Sequence, residues 1–120
     1  MTREIFVFAS NLAGKHHGGS AREAVDKHGA LYGHGIGMQG NSYAIPTLDH
    51  EFQKLTLDEI NAHVKTFLAF ASAHRECMFR IVAIGCGIAG FTPAQIAPMF
   101  TDAPTNCILP LEFILQQMGE

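Results

Sequence analysis

A buried strand that ends in a glycine-rich loop is the feature that most constrains the fold of this 120-residue chain. Residues 79–84 are apolar except for Arg80, and the loop of residues 84–91, with the sequence IGCGIAGF, follows them. The next four residues predict a helix start, because Thr92 can cap free N–H groups, Pro93 suits the first helical position and Gln95 can reach back to the cap. The sequence therefore predicts a strand, a glycine loop and a helix in succession.

A loop of this kind can hold a phosphate. Glycines let successive backbone N–H groups converge on one point, and the helix that follows adds partial positive charge at its N-terminus. The loop has neither the G-x-G-x-x-G order of dinucleotide sites nor the lysine of a P-loop, so on its own a tight strand-to-helix turn explains it better. A second glycine loop at residues 11–19 favours the phosphate-binding interpretation.

Strands alternate with helices along the rest of the chain. The predicted strands cover residues 3–8, 41–47, 79–84 and 106–109, and Pro46 is expected to end the second of them. The predicted helices begin at capping boxes at Ser20 and Thr56, at Pro93 and at Leu111. Residues 32–40 contain four glycines and predict a connector or an irregular edge strand. This order predicts an α/β fold in a single domain over residues 1–120, with a mostly parallel sheet and helices on both faces.

Composition excludes several classes of protein. The chain is 48% apolar and 16% charged, as expected of a globular domain rather than a disordered one. A formal charge of −3 without a basic stripe argues against nucleic acid as a partner held by charge. No apolar run is long enough to span a bilayer, so we expect no membrane association.

Cysteine and histidine usage predicts a reduced, metal-free protein. Cys77, Cys86 and Cys107 form neither an even framework nor a C-x-x-C motif, which indicates free thiols and a cytoplasmic location. His16 and His17 are adjacent, and no third ligand lies at a recognisable spacing, so we predict no metal site. Nothing in the sequence calls for a cofactor.

Parallel strands bring their carboxyl ends to one edge of a sheet, where ligands bind in α/β proteins. Both glycine loops follow such strand ends, so they open into one crevice if their strands are neighbours. Asn11, just past the first strand, can orient ribose hydroxyls or simply form a turn. Lys54, before the long helix, either faces the crevice or is a solvated charge. Phe91 or Tyr32 could stack on a ring.

The whole chain resembles a macro domain, the ADP-ribose-binding module, in a compact form, and three segments carry the resemblance. Residues 10–29 are similar to the segment that runs from an asparagine through glycines into a helix and holds the distal ribose. Residues 43–47 resemble the central strand that follows, and residues 84–91 resemble the loop that wraps the diphosphate. The branch with the terminal ADP-ribose glycohydrolase and the DNA ADP-ribose hydrolase antitoxin is the most similar.

This resemblance implies binding of ADP-ribose or a related nucleotide, and an ADP-ribosylated macromolecule as a further partner. The implied ligand-binding residues are Asn11, Gly18, Gly19, Gly85, Cys86, Gly87, Ile88, Ala89, Gly90 and Phe91. In that branch a lysine and a loop aspartate carry hydrolysis; Lys54 lies where the lysine segment falls, whereas Ala89 occupies the aspartate position. Hydrolysis of ADP-ribosyl linkages, assisted by Lys54 or His17, is therefore a hypothesis beside binding.

Two other classes of function stay open. The first is a small phosphatase or a Cys–His hydrolase that uses Cys86 with His16 or His17, since a helix N-terminus can lower the pKa of a thiol. The second is a non-catalytic regulatory or interaction domain that kept the fold and lost the ligand.

Overall fold

The computed structural model describes residues 2–119. The β-strands are β1 (Arg3–Asn11), β2 (Gly37–Gln39), β3 (Ser42–Leu48), β4 (Cys77–Ile81) and β5 (Cys107–Ile108). The α-helices are α1 (Gly19–Lys27), α2 (Leu57–Ala73), α3 (Pro93–Ile96) and α4 (Leu111–Met118), and a 3₁₀ segment, Ala97–Phe100, continues α3. These strands form a sheet in the order β2-β3-β1-β4-β5, parallel except for β2, which is antiparallel to β3. The predicted α/β fold with a mostly parallel sheet is confirmed.

Alternation along β1 supplies a core to each face of the sheet. Phe6 and Phe8 are buried on one face, in a cluster that includes Ala21 and Ala24 of α1. The intervening residues of β1 belong to a larger cluster on the other face, formed with α2, the α3 segment and α4. Successive side chains of a strand point to opposite faces, so this single strand joins both cores.

The helix α2 shows how local signals set an element. Thr56 is its N-cap and accepts a hydrogen bond from the Glu59 N–H at 3.1 Å, while the Glu59 carboxylate accepts from the Thr56 N–H at 2.8 Å. This confirms the predicted capping box. The buried face consists of residues at helical spacing, namely Ile60, Val64, Phe67, Leu68 and Ala71.

The strand β3 continues through Pro46, so the prediction that Pro46 ends this strand is wrong. Pro46 pairs with Ser10 of β1, and directly after this pair the register shifts so that Asn11 lies opposite Leu48. Proline cannot donate to the ladder, and an irregularity beside it lets the strand proceed. The bulge also sets the position of Asn11 at the end of β1.

The capping box predicted at Ser20 is also wrong. The N-cap of α1 is Gly18, which has no side-chain cap, and Ser20 lies inside the first turn. The Ser20 hydroxyl instead accepts a hydrogen bond from the Ala9 N–H at 3.4 Å, which ties the helix to β1. The start of α1 is therefore set by contact with the sheet.

Several element ends differ from the prediction. β1 runs three residues further than residue 8, and β4 ends at Ile81, so the second loop begins at Val82. The predicted helix over residues 93–100 changes to 3₁₀ geometry after Ile96, where Pro98 interrupts the α-helical hydrogen bonds. Of the four glycines in residues 32–40, two precede the antiparallel edge strand β2, Gly37 is its first residue, and Gly40 follows it.

The order of the strands determines which loops lie together at the carboxyl edge of the sheet. β1 lies between β3 and β4, and the three strands are parallel, so the segments after Asn11, Leu48 and Ile81 emerge at the same edge. α4 follows β5 and comes to that edge as well. Within residues 2–119, no helix has both the length and the apolar character that a membrane crossing requires.

Candidate functional site

A cleft of about 990 Å³ opens at the carboxyl edge of the sheet. This volume is in the range of small-molecule sites. Its lining comes from four segments: the end of β1 with the loop and first turn of α1, the turn after β3, the loop after β4, and the first turn of α4. Both glycine loops therefore face one cleft.

The loop after β4 carries backbone donors without protein acceptors. Its internal hydrogen bonds run from the Ile84, Cys86, Gly90 and Phe91 N–H groups to carbonyls within residues 82–87. Among the described residues, no acceptor meets the N–H groups of Gly85, Gly87, Ile88 or Ala89. All four of these residues line the cleft. Unpaired amide donors in a glycine-rich turn form an anion-binding concavity.

A second set of free donors lies at the start of α1. Gly18 and Gly19 line the cleft, and a Cβ atom at either position would meet open space. Because Gly18 offers no side-chain cap, the N–H groups of Gly19, Ser20 and Ala21 have no acceptor in the described part of the chain. The partial positive charge of this nine-residue helix is therefore directed at the cleft.

Asn11 lies at the end of β1 and lines the cleft, and most of its surface is buried. Its amide braces the loop that follows: Nδ2 donates to the Lys15 carbonyl at 2.9 Å, and Oδ1 accepts from the Lys15 N–H at 3.0 Å. Gly35 packs on the backbone of Asn11 so closely that a Cβ atom there would collide with the Asn11 carbonyl. Asn11 thus holds the shape of the first loop.

Lys54 joins the turn after β3 to the glycine loop. Its ammonium lies 4.6 Å from the centroid of the Phe91 ring, and its backbone forms an antiparallel bridge with Leu48. Lys54 lines the cleft, whereas Phe91 and Gly90 do not. The Phe91 ring is therefore a support for Lys54 rather than a surface of the cleft.

The two adjacent histidines have different surroundings. His17 lines the cleft, and the Tyr32 hydroxyl lies 2.7 Å from its Nε2. His16 is buried, its Nε2 lies 3.1 Å from the His34 carbonyl, and its Nδ1 has no partner in residues 2–119. In the same residues no group of three His, Cys, Asp or Glu side chains could hold a metal ion. Tyr32 does not line the cleft.

Cys86 lines the cleft but is not activated. Burial, and secondarily the negative charge of Glu112, raises the pKa of its thiol above the ordinary value of 9.0. Its Sγ donates weakly to the Ile84 carbonyl at 3.6 Å. A nucleophilic cysteine requires a lowered pKa, so these surroundings count against the Cys–His hydrolase.

The cleft residues that sequence reasoning missed include two with a charged side chain, Lys15 and Glu112, and one with a phenyl ring, Phe52. Lys15 was within the first loop and could have been noticed as a cation beside the glycines. Phe52 and Glu112 carried no sequence signal, because their positions depend on the turn after β3 and on where α4 meets the sheet. Of the described residues that line the cleft, Phe52 is the one Phe, Tyr or Trp and Glu112 is the one carboxylate.

No protein-family model matches the chain, and no curated protein matches it. The fold is similar to a solved structure of a protein of unknown function from Bacteroides thetaiotaomicron, with a TM-score of 0.65 over 91% of this chain and 87% of that one. The two sequences are 12% identical, so this similarity shows the fold alone.

Proposed function

We propose that the protein binds ADP-ribose or a related nucleotide through its diphosphate. The observation that carries this proposal is the presence of unpaired backbone N–H groups on two loops that line one cleft, residues 85–89 and the first turn of α1. Amides held in a fixed backbone bind phosphate oxygens without reorganisation, and hydrogen bonds to charged acceptors are the strong ones.

Charge within the cleft supports an anionic ligand although the whole chain is negative. Lys15 and Lys54 line the cleft with a single carboxylate, Glu112, so formal positive charge exceeds negative charge there. A concave site with partial positive charge from a helix and a loop concentrates this potential. The cleft is also largely apolar around these groups, as expected for a ligand that combines an anion with rings.

The roles of the first loop follow from its contacts. Gly18 and Gly19 allow a ligand to approach the backbone closely, because no side chain covers it. Asn11 acts by holding the loop after β1 in place, and its remaining amide hydrogen and oxygen lone pair can meet a ribose hydroxyl.

Hydrolysis of an ADP-ribosyl linkage is a second candidate, favoured by His17, which lines the cleft and whose Nε2 lies 2.7 Å from the hydroxyl of Tyr32, a residue outside the cleft. In this reaction water attacks the anomeric carbon, the bond to the attached group breaks, and His17 accepts the proton of the water. Lys54 would donate a proton to the leaving group. Release of ADP-ribose from a modified protein, lost in His17→Ala with binding retained, tests this candidate.

Calorimetric titration with ADP-ribose tests the proposed binding. We expect saturable binding by the wild type and weaker binding by Asn11→Ala, because the first loop loses both hydrogen bonds to Lys15. Two results would contradict the proposal: no heat with the wild-type protein, or an unchanged affinity in Asn11→Ala together with a normal unfolding midpoint.

A further inference from the structure

The turn between β3 and α2 holds one residue in an unusual backbone conformation. Phe52 has a φ of 63°, and among residues 2–119 it is the one non-glycine residue with positive φ. A bulky side chain is rare in this region, because its Cβ atom crowds the backbone. The antiparallel bridge between Leu48 and Lys54 closes the turn on both sides of this residue.

Hydrogen bonds from Asp49 maintain the turn. Its Oδ1 accepts from the Glu51 N–H at 2.8 Å and from the Gln53 N–H at 2.9 Å. Its own N–H donates to the Gln53 carbonyl at 2.8 Å, and the Phe52 N–H donates to the Asp49 carbonyl at 3.2 Å. This strained conformation is therefore imposed by the surrounding turn and does not depend on burial of the Phe52 ring.

Packing in the core does not explain why an aromatic residue occupies position 52. Phe52 is 46% exposed, and it lines the cleft. A glycine or asparagine would adopt this backbone conformation more easily. An aromatic residue held with strain at the surface of a cleft is typical of a functional position.

We propose that Phe52 is the stacking platform for a flat heteroaromatic ring of the ligand. This inference rests on the proposed function and names the substrate class: a ring-bearing nucleotide rather than a sugar phosphate or free diphosphate. β3 and β4 are two positions apart in the sheet, or about 10 Å at the usual strand spacing. Phe52 and the loop after β4 line the same cleft, and Lys54, two residues after Phe52, contacts Phe91 at the end of that loop, so a ring at Phe52 and a phosphate at the loop can belong to one nucleotide.

The test compares ligands that differ by a ring. AMP against ribose 5-phosphate isolates the nucleobase, and NAD against ADP-ribose isolates the nicotinamide ring on the distal ribose. Affinities are measured by amide chemical-shift titration for the wild type, Phe52→Ala and Phe52→Gly. Gln53→Ala is the matched control, because Gln53 is exposed, lines the cleft from the same turn as Phe52 and has no ring.

We expect one of the two ligand pairs to show a ring preference of about 5- to 150-fold in the wild type, the range of base–aromatic stacking. Both Phe52 variants should abolish that preference, and Gln53→Ala should keep it. If the Phe52 variants lose the preference for AMP over ribose 5-phosphate, the ring that stacks on Phe52 is the nucleobase. If they lose the preference for NAD over ADP-ribose, the stacked ring is the nicotinamide. Either outcome supports Phe52 as the stacking platform. Phe52→Gly should unfold about 3–6 °C above Phe52→Ala, because glycine accepts the positive φ.

Unchanged preferences in both Phe52 variants, with ADP-ribose still bound, would overturn the platform and leave the proposed function intact. Failure of the wild type to bind either ADP-ribose or ribose 5-phosphate would refute both the stacking platform and the proposed function. A folding defect is recognised separately, because Phe52→Gly removes the ring while relieving the strain.

Discussion

Replacing Ile88 by proline removes one backbone donor from the loop after β4 with little change elsewhere. The Ile88 N–H has no acceptor among the described residues, and the side chain is 92% exposed, so neither internal hydrogen bonds nor core packing is lost. Ile88 has a negative φ and follows a glycine, and both features suit a proline. Ile88→Ala keeps the donor and is the matched control.

The expected loss of affinity follows from the free energy that one hydrogen bond to a phosphate oxygen contributes. Four unpaired N–H groups lie in this loop, and a hydrogen bond to a charged acceptor contributes about 1.5–3 kcal/mol. Loss of one bond to a phosphate oxygen should weaken ADP-ribose binding by about 10- to 150-fold, whereas Ile88→Ala should stay within about two-fold.

Calorimetry at 25 °C measures both affinities, and thermal unfolding verifies that the two variants remain folded. Equal, wild-type affinity in Ile88→Pro and Ile88→Ala would refute the assignment of this loop as a phosphate site. A similar loss in both variants would instead assign the effect to the side chain, which also contradicts the proposed role of the amide.

Three further predictions concern the first loop and the cleft carboxylate. Gly35→Ala should reduce the free energy of unfolding by about 3 kcal/mol, because the added Cβ collides with the Asn11 carbonyl; an unchanged denaturant midpoint would contradict that contact. Glu112→Gln should strengthen ADP-ribose binding by about two- to five-fold at low salt, because a negative charge leaves the cleft, and the gain should shrink as salt rises. The same variant should alkylate faster at Cys86 near pH 8, because Glu112 helps to keep the pKa of that thiol above 9.0; an equal or slower rate would argue against this influence.

Elements with local signals could be predicted from the sequence. The capping box at Thr56, the apolar face of α2 and the start of α4 at Leu111 depend on residues within a few positions of each other. The succession of strand, glycine loop and helix after β4 was visible for the same reason. The ends of β4 differ from the predicted ones, because the limits of a strand depend on its pairing with a neighbouring strand.

Features set by distant contacts could not be predicted. Pro46 remains in β3 because the register of β1 shifts beside it. Ser20 does not cap α1, because its hydroxyl accepts a hydrogen bond from the backbone of β1. In the site, the meeting of two glycine loops followed from the rule for parallel strands. The positions of Phe52 and Glu112 could not be predicted from that rule, because the turn after β3 and the packing of α4 bring these residues to the cleft.

Backbone amide chemical shifts measured during an ADP-ribose titration test the central claim most directly. The unpaired N–H groups of Gly85, Gly87, Ile88 and Ala89, together with those of the first turn of α1, should show the largest downfield shifts, as expected when amides donate to phosphate oxygens. Amides of β5 and of the far end of α2 should move little. Saturable binding that leaves both loops unshifted, or no binding at all, would contradict this account.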